Sequence, residues 1–231
     1  MKQHRAVCSN PRRDILTDPY RMMKIYLASA SPRRREIMEK IGIDAEIRVS
    51  GADEDTGLDD PVLLVEELST RKAVSVADEI DADETADTSQ GYCVIGADTV
   101  VSIDGRILGK PADEDDARSM LRMLSGRMHQ VYTGVSLVIS HPEAERGEGG
   151  ADCEVIVFHE KTDVEFCEMT DDEIDAYIAT GDPMDKAGAY GVQSYAAPFV
   201  SAIYGDYYNV MGLPASRLYH ELKAHGVLGQ I

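Results

Sequence analysis

The 231-residue chain is short of positive charge, with 23 Lys and Arg against 42 Asp and Glu and a formal net charge of −19. Coating a polyanion needs cations that neutralise phosphates and release counterions, so this shortage excludes a protein that wraps nucleic acid or an anionic membrane. A small cationic pocket stays open. Cysteine is sparse as well: Cys8, Cys93, Cys153 and Cys167 form no C-x-x-C pair. That removes zinc knuckles and dithiol redox motifs and fits a reducing, cytoplasmic setting. Apolar runs stop far short of the roughly 20 residues a spanning helix needs, so no membrane partner is expected. There is no repeat of solenoid length, and Arg12-Arg13 is not followed by the apolar stretch of a secretory leader.

What is present is enough for a core, since 43% of residues are hydrophobic. Residues 1–23 stand apart: Lys2, Arg5, Arg12, Arg13 and Arg21 face only Asp14 and Asp18. They read as a basic, disordered extension or an upstream start codon, with one folded domain over residues 24–231.

Lys24–Ala28 is a β-prone run, and Ser29–Ser31 a tight loop. Pro32 to Ile41 then reads as a helix with Ser31 as N-cap, Pro32 at its first position and Gly42 past its end. A short strand is expected over 44–49, a loop over 50–60 and a helix over 62–77. Residues 78–90 read as a solvated acidic insertion or a charged helix end. Tyr92–Ile103 is a strand that turns at Asp104-Gly105 into Arg106–Leu108. A helix follows over 113–124, then a strand over 129–140, a loop over 141–152, and strands over 154–158 and 162–166. Thr170 to Glu173 is a capping box opening a helix. Strand 199–203 and a helix near 214–224 close the chain. Hairpins mixed with crossovers predict an α/β fold with an elongated mixed sheet flanked by helices, two lobes standing around a central cleft.

Four features carry chemistry. The turn Ser29 to Arg34 puts small hydroxyl residues at a helix N-terminus, where free N–H groups, the helix dipole and Arg33, Arg34 and Arg35 favour phosphate. Asp98 stands within a β run beside small residues, as a proton acceptor or a ligand for a divalent cation. Lys72, Lys110 and Lys186 lie near small residues or proline, suited to an anion. The Gln193 amide offers a donor and an acceptor that match the imide edge of uracil or thymine. Taken singly, each also fits an ordinary surface residue; together they point to a nucleotide.

Five segments in order, Leu27 to Arg34, Ile95 to Val101, Gly109-Lys110-Pro111, Leu124 to Gly134 and Asp185 to Gln193, make the chain resemble the Maf family of nucleoside triphosphate pyrophosphatases. The resemblance runs from about residue 24 to the C-terminal helix and implies an ITPase-like fold. It also implies hydrolysis between the α- and β-phosphates to monophosphate and pyrophosphate, with Mg²⁺ or Mn²⁺, as house-cleaning of the nucleotide pool. Carried over by position, Ser29, Ser31, Arg33, Arg34, Lys72 and Lys110 would bind phosphate, with Lys186 a further cleft residue. Asp98 would accept the proton or hold the metal, and Arg33, Thr99 and Gln193 would set base preference. The ending Ala189-Tyr190-Gly191-Val192-Gln193 resembles the branch acting on dTTP and UTP. The alternatives are the same chemistry on modified purine triphosphates, or a nucleotide-binding regulator of cell division or septum formation. Family members are often homodimers. After Gln193 this chain departs from the family's Gly-rich pattern with Ser194-Tyr195-Ala196-Ala197.

Overall fold

The computed structural model describes residues 23–142 and 153–228. The expected basic extension, apart from Met23, and most of the loop over 141–152 lie outside the described residues. Seven strands form one mixed sheet in the order β2-β1-β3-β5-β6-β7, with β4 beside β3. They are β1 (Lys24–Leu27), β2 (Glu46–Ile47), β3 (Tyr92–Ile103), β4 (Arg106–Leu108), β5 (Met128–Ser140), β6 (Glu154–Phe166) and β7 (Val200–Tyr204). The helices are α1 (Pro32–Lys40), α2 (Pro61–Ala82), α3 (Glu114–Leu124), α4 (Asp171–Ile178), α5 (Tyr207–Met211) and α6 (Ala215–Ala224). The mixed α/β sheet is therefore as expected.

The two faces of the sheet are unequally covered. One face, with Tyr26, Tyr92, Val94 and Val138, packs under Ala73, Val76 and Ile80 of α2. The other face builds the larger core, in which Ile95, Ala97, Val101 and Leu137 meet α1, α3, α4, α5 and α6. Burying these apolar side chains is the main stabilising force, at roughly 25 cal/mol per Å² removed from water.

Helix α2 lies unusually close to the strands below it. A Cβ on Gly96 would run into the Ser69 carbonyl, and one on Gly134 into the Val65 carbonyl. With no side chain at either position, Ser69 and Thr70 reach the Ser136 hydroxyl at 2.8 Å each, which satisfies that buried polar group.

Several boundaries differ from those read in the sequence. Helix α2 continues through residue 82 because Ile80 is buried and Asp81 accepts a 2.7 Å hydrogen bond from Tyr92, so the acidic stretch begins as helix. It is capped by Asp60, which accepts from the Val62 and Leu63 amides. The two strands expected after residue 153 are one, since His159 to Lys161 stay in register with Gly134 to Tyr132 of β5. Ser31 sits at the N-cap of α1 but its hydroxyl makes no capping bond; the Ser29 hydroxyl accepts from the Ser31 amide at 3.2 Å instead. The capping box at Thr170 and Glu173 forms as expected.

Candidate functional site

The site arises from a gap in the sheet. On one edge β3 pairs with β5 along nearly its whole length. On the other it pairs with β1 only through Ile95 and with β4 only from Val101 onward. Among the described residues, Gly96 to Val100 have no strand partner on that second edge. The chain leaves β1 at Ser29 and swings into α1, so a crevice opens at the carboxyl end of β1, where open α/β sheets place their ligands.

That crevice is a cleft of about 610 Å³. Ser29, Ser31, Arg33, Arg34, Lys72, Asp98, Thr99, Lys110, Lys186 and Gln193 all line it; Arg35, expected beside them, instead points outward on α1 and pairs with Glu39 at 2.9 Å. They arrive from separate elements: the β1–α1 turn, the first turn of α1, α2, β3, the segment after β4, and the loop after α4.

Successive side chains on a strand point to opposite faces, and at the gap this separates two chemistries. Asp98 faces α2, where Lys72 Nζ meets its Oδ1 at 2.6 Å. The same ammonium lies 2.8 Å from Glu54 Oε1. Hydrogen bonding to Lys72 holds the Glu54 carboxyl below the usual range against the opposing effect of burial. Thr99 faces the other way. Its hydroxyl accepts from Arg34 Nη2 at 3.1 Å and lies 2.9 Å from the Thr133 hydroxyl.

Arg34 is fixed at three points. Besides Thr99, Nε donates to the Gly212 carbonyl at 2.8 Å and Nη1 to Ser29 Oγ at 3.1 Å. It thereby ties α1, β3 and the turn after α5 together, and burial lowers its pKa, with Asp98 opposing. Arg33 reaches across the mouth of the cleft to Asp185 Oδ2 at 3.0 Å. Asp185 also receives Lys186 Nζ at 2.7 Å. Burial works to raise the Asp185 pKa, but the bonds from Lys186 and Arg33 outweigh it and hold the carboxyl low. Lys186 is almost wholly buried and bonds Asp182 as well, at 3.0 Å. Lys110 and Gln193 are exposed at the rim.

Nothing local in the sequence marks Glu54 or Asp182, and Asp185 lies in a motif segment that gives it no role of its own. Glu54 looks like one more member of an acidic loop, and only the fold reveals that it meets Lys72.

No helix among the described residues is long and apolar enough to cross a membrane. The chain is similar to a dTTP/UTP pyrophosphatase of Agathobacter rectalis, 48% identical over 210 residues, covering 89% of this chain and 99% of that protein. It is similar also to a dTTP/UTP pyrophosphatase of Bacillus thuringiensis subsp. konkukian, 44% identical over 207 residues, covering 89% and 97%. Among solved structures, the Staphylococcus aureus Ham1 protein overlaps 86% of this chain and 99% of its own, at TM-score 0.45 and 15% identity. A family model described as Maf-like protein matches residues 24–225, and the chain belongs to that family.

Proposed function

We propose that the chain hydrolyses dTTP and UTP to the monophosphate and pyrophosphate, removing surplus or non-standard pyrimidine triphosphates from the nucleotide pool. The observation that carries this reading is the Lys72–Asp98 pair at 2.6 Å, in the same cleft as the Ser29–Arg34 turn. The names of the relatives favour pyrimidine over modified purine triphosphates.

Attack at the α-phosphorus needs an in-line water, an acceptor for its proton, and positive charge on the phosphoryl oxygens and leaving pyrophosphate. In this reading Asp98 takes the proton, while Lys72, Lys110 and Arg33 receive the phosphates. The α1 N-terminus adds its free amides, and Arg34 holds that turn in shape while adding charge. Gln193 meets the base, with Thr99 and Arg33 bounding its pocket.

A divalent cation fits these residues in one way. No group of three or more His, Cys, Asp and Glu gathers as a metal site among the described residues. Mg²⁺, however, is commonly held by one or two carboxylates together with substrate phosphates. In the alternative role for Asp98, it and Glu54, which share the Lys72 ammonium, would hold a cation that arrives with the nucleotide, where it would offset phosphate charge. The family resemblance further suggests a cytoplasmic homodimer, which light scattering would test.

The deciding experiment is pyrophosphate release by the purified protein with Mg²⁺ over a panel of triphosphates. Fastest turnover of dTTP and UTP is expected; equal rates on ATP and GTP would overturn the base preference.

A further inference from the structure

Gln193 stands at the exposed corner of a turn whose two ends are tied to one carboxylate. On one side the Ser194 hydroxyl donates to Asp182 Oδ2 at 2.6 Å. On the other the Tyr177 hydroxyl donates to the same oxygen at 2.8 Å and accepts the Gly191 amide at 3.3 Å. The turn is closed by the Ser194 amide bonding the Gly191 carbonyl at 3.1 Å. Asp182 Oδ1 takes the Lys186 ammonium, and the stem of Lys186 lies flat against Gly191. A Cβ there would come within 2.7 Å of Lys186 Cε and 2.6 Å of Ser194 Oγ.

Asp182 is thus a hub that bonds Ser194 directly and Gly191 through the Tyr177 hydroxyl, without lining the cleft itself. Burial works to raise its pKa, but bonds from Ser194, Tyr177 and Lys186 outweigh it and keep the carboxylate ionised. Such a hub matters for reading a base. Uracil and thymine present N3–H and O4, whereas cytosine presents a bare N3 and an amino group. A carboxamide free to swing satisfies either edge; holding the Gly191–Ser194 turn removes the backbone part of that freedom before the nucleotide arrives.

We infer that Asp182, acting through Ser194 and Tyr177, is a positioning residue that fixes Gln193 for discrimination between pyrimidine bases. The inference rests on the proposed base-reading role of Gln193 and adds the device that makes it selective.

The test compares dTTP with dCTP as substrates for Ser194→Ala and Asp182→Asn, with Gln193→Ala alongside. In the first two variants KM for dTTP should rise by about three- to tenfold, the cost of ordering one loosened side chain. The dTTP:dCTP ratio of kcat/KM should fall by the same factor while kcat for dTTP is retained. Ser194→Thr, which keeps the hydroxyl, should restore the ratio. Should Asp182→Asn fail to fold, Ser194→Ala and its threonine rescue decide the matter. A ratio lost in Gln193→Ala but intact in Ser194→Ala overturns the inference alone. A ratio intact in every variant overturns the base-reading role as well. An equal fall in kcat for both nucleotides at constant ratio marks a purely structural contact and also overturns the inference.

Discussion

Lys72 Nζ sits 2.6 Å from Asp98 Oδ1 and 2.8 Å from Glu54 Oε1, so one ammonium from α2 answers a carboxylate on the floor of the cleft and another on its rim. Both Lys72 and Asp98 are largely shielded from water, with side-chain exposures of 14% and 13%. A pair in that setting is screened less by salt than a surface pair.

Asp98→Asn keeps the shape of the side chain but gives no useful proton acceptor. Turnover of dTTP should fall by about 10²- to 10⁴-fold, the usual worth of a general base. The melting temperature should stay within a few degrees, because Lys72 keeps Glu54 as partner. Full activity in this variant removes Asp98 from the mechanism.

Lys72 and Asp98 should act as one unit. In a double-mutant cycle, Lys72→Gln added to Asp98→Asn should cost far less than it does in the unaltered protein, as is general for residues in direct contact. Strictly additive losses in kcat/KM would mean that the 2.6 Å contact does not bear on the reaction.

Gly96→Ala should lift α2 from the sheet, since the new methyl would collide with the Ser69 carbonyl and the Ala73 backbone. Overpacking of this kind costs about 1–3 kcal/mol. Urea unfolding reads it out against Gly51→Ala, whose methyl meets nothing within 4 Å. Equal midpoints for the two variants would contradict the close packing described above.

His129 is fully buried, with Nε2 2.8 Å from the Tyr190 hydroxyl, and Phe166 and Tyr190 stand edge-on to its ring. Burial pushes its pKa down from 6.5 to about 4. Between those values the unfolded chain binds a proton that the folded chain refuses, so stability rises with pH across the window. The contribution is complete above about pH 6.5 and is lost on going down to about pH 4, by up to about 3 kcal/mol. Urea midpoints at pH 7, 5.5 and 4.5 should fall in sequence, and less steeply in His129→Gln. A flat profile for the unaltered protein would contradict this.

The elements legible in the sequence were those whose signals are local. Asp104-Gly105, the Thr170 box, Gly42 past α1 and the buried run of β3 each follow from residues within one turn of themselves. The gap beside Asp98 was not legible, because it depends on where β1 stops and β4 begins along a third strand. Ser31 and Ser29 illustrate the same limit on a smaller scale. Either hydroxyl suits the helix start by type, and only the closure of the loop selects Ser29 as acceptor. The candidate residues follow from motifs; their partners Glu54 and Gly212, and the link from Asp185 to Arg33, do not, since each of these contacts joins segments apart in sequence. Asp182 is hidden for another reason: an aspartate after glycine and before proline looks like any turn residue.

The break in pairing along β3 has a consequence for solubility. Exposed strand edges invite another chain to add itself as a strand, and proteins guard them with charge, short length or cover. Here the unpaired stretch of Gly96 to Val100 is bounded by β1 and β4, carries the charge of Asp98 and is faced by Lys72 and Arg34. An intruding peptide would have to strip water from those charges without repaying it. A compact, charged guest has no such difficulty. The arrangement that leaves room for a triphosphate therefore also guards this gap in the sheet against strand addition.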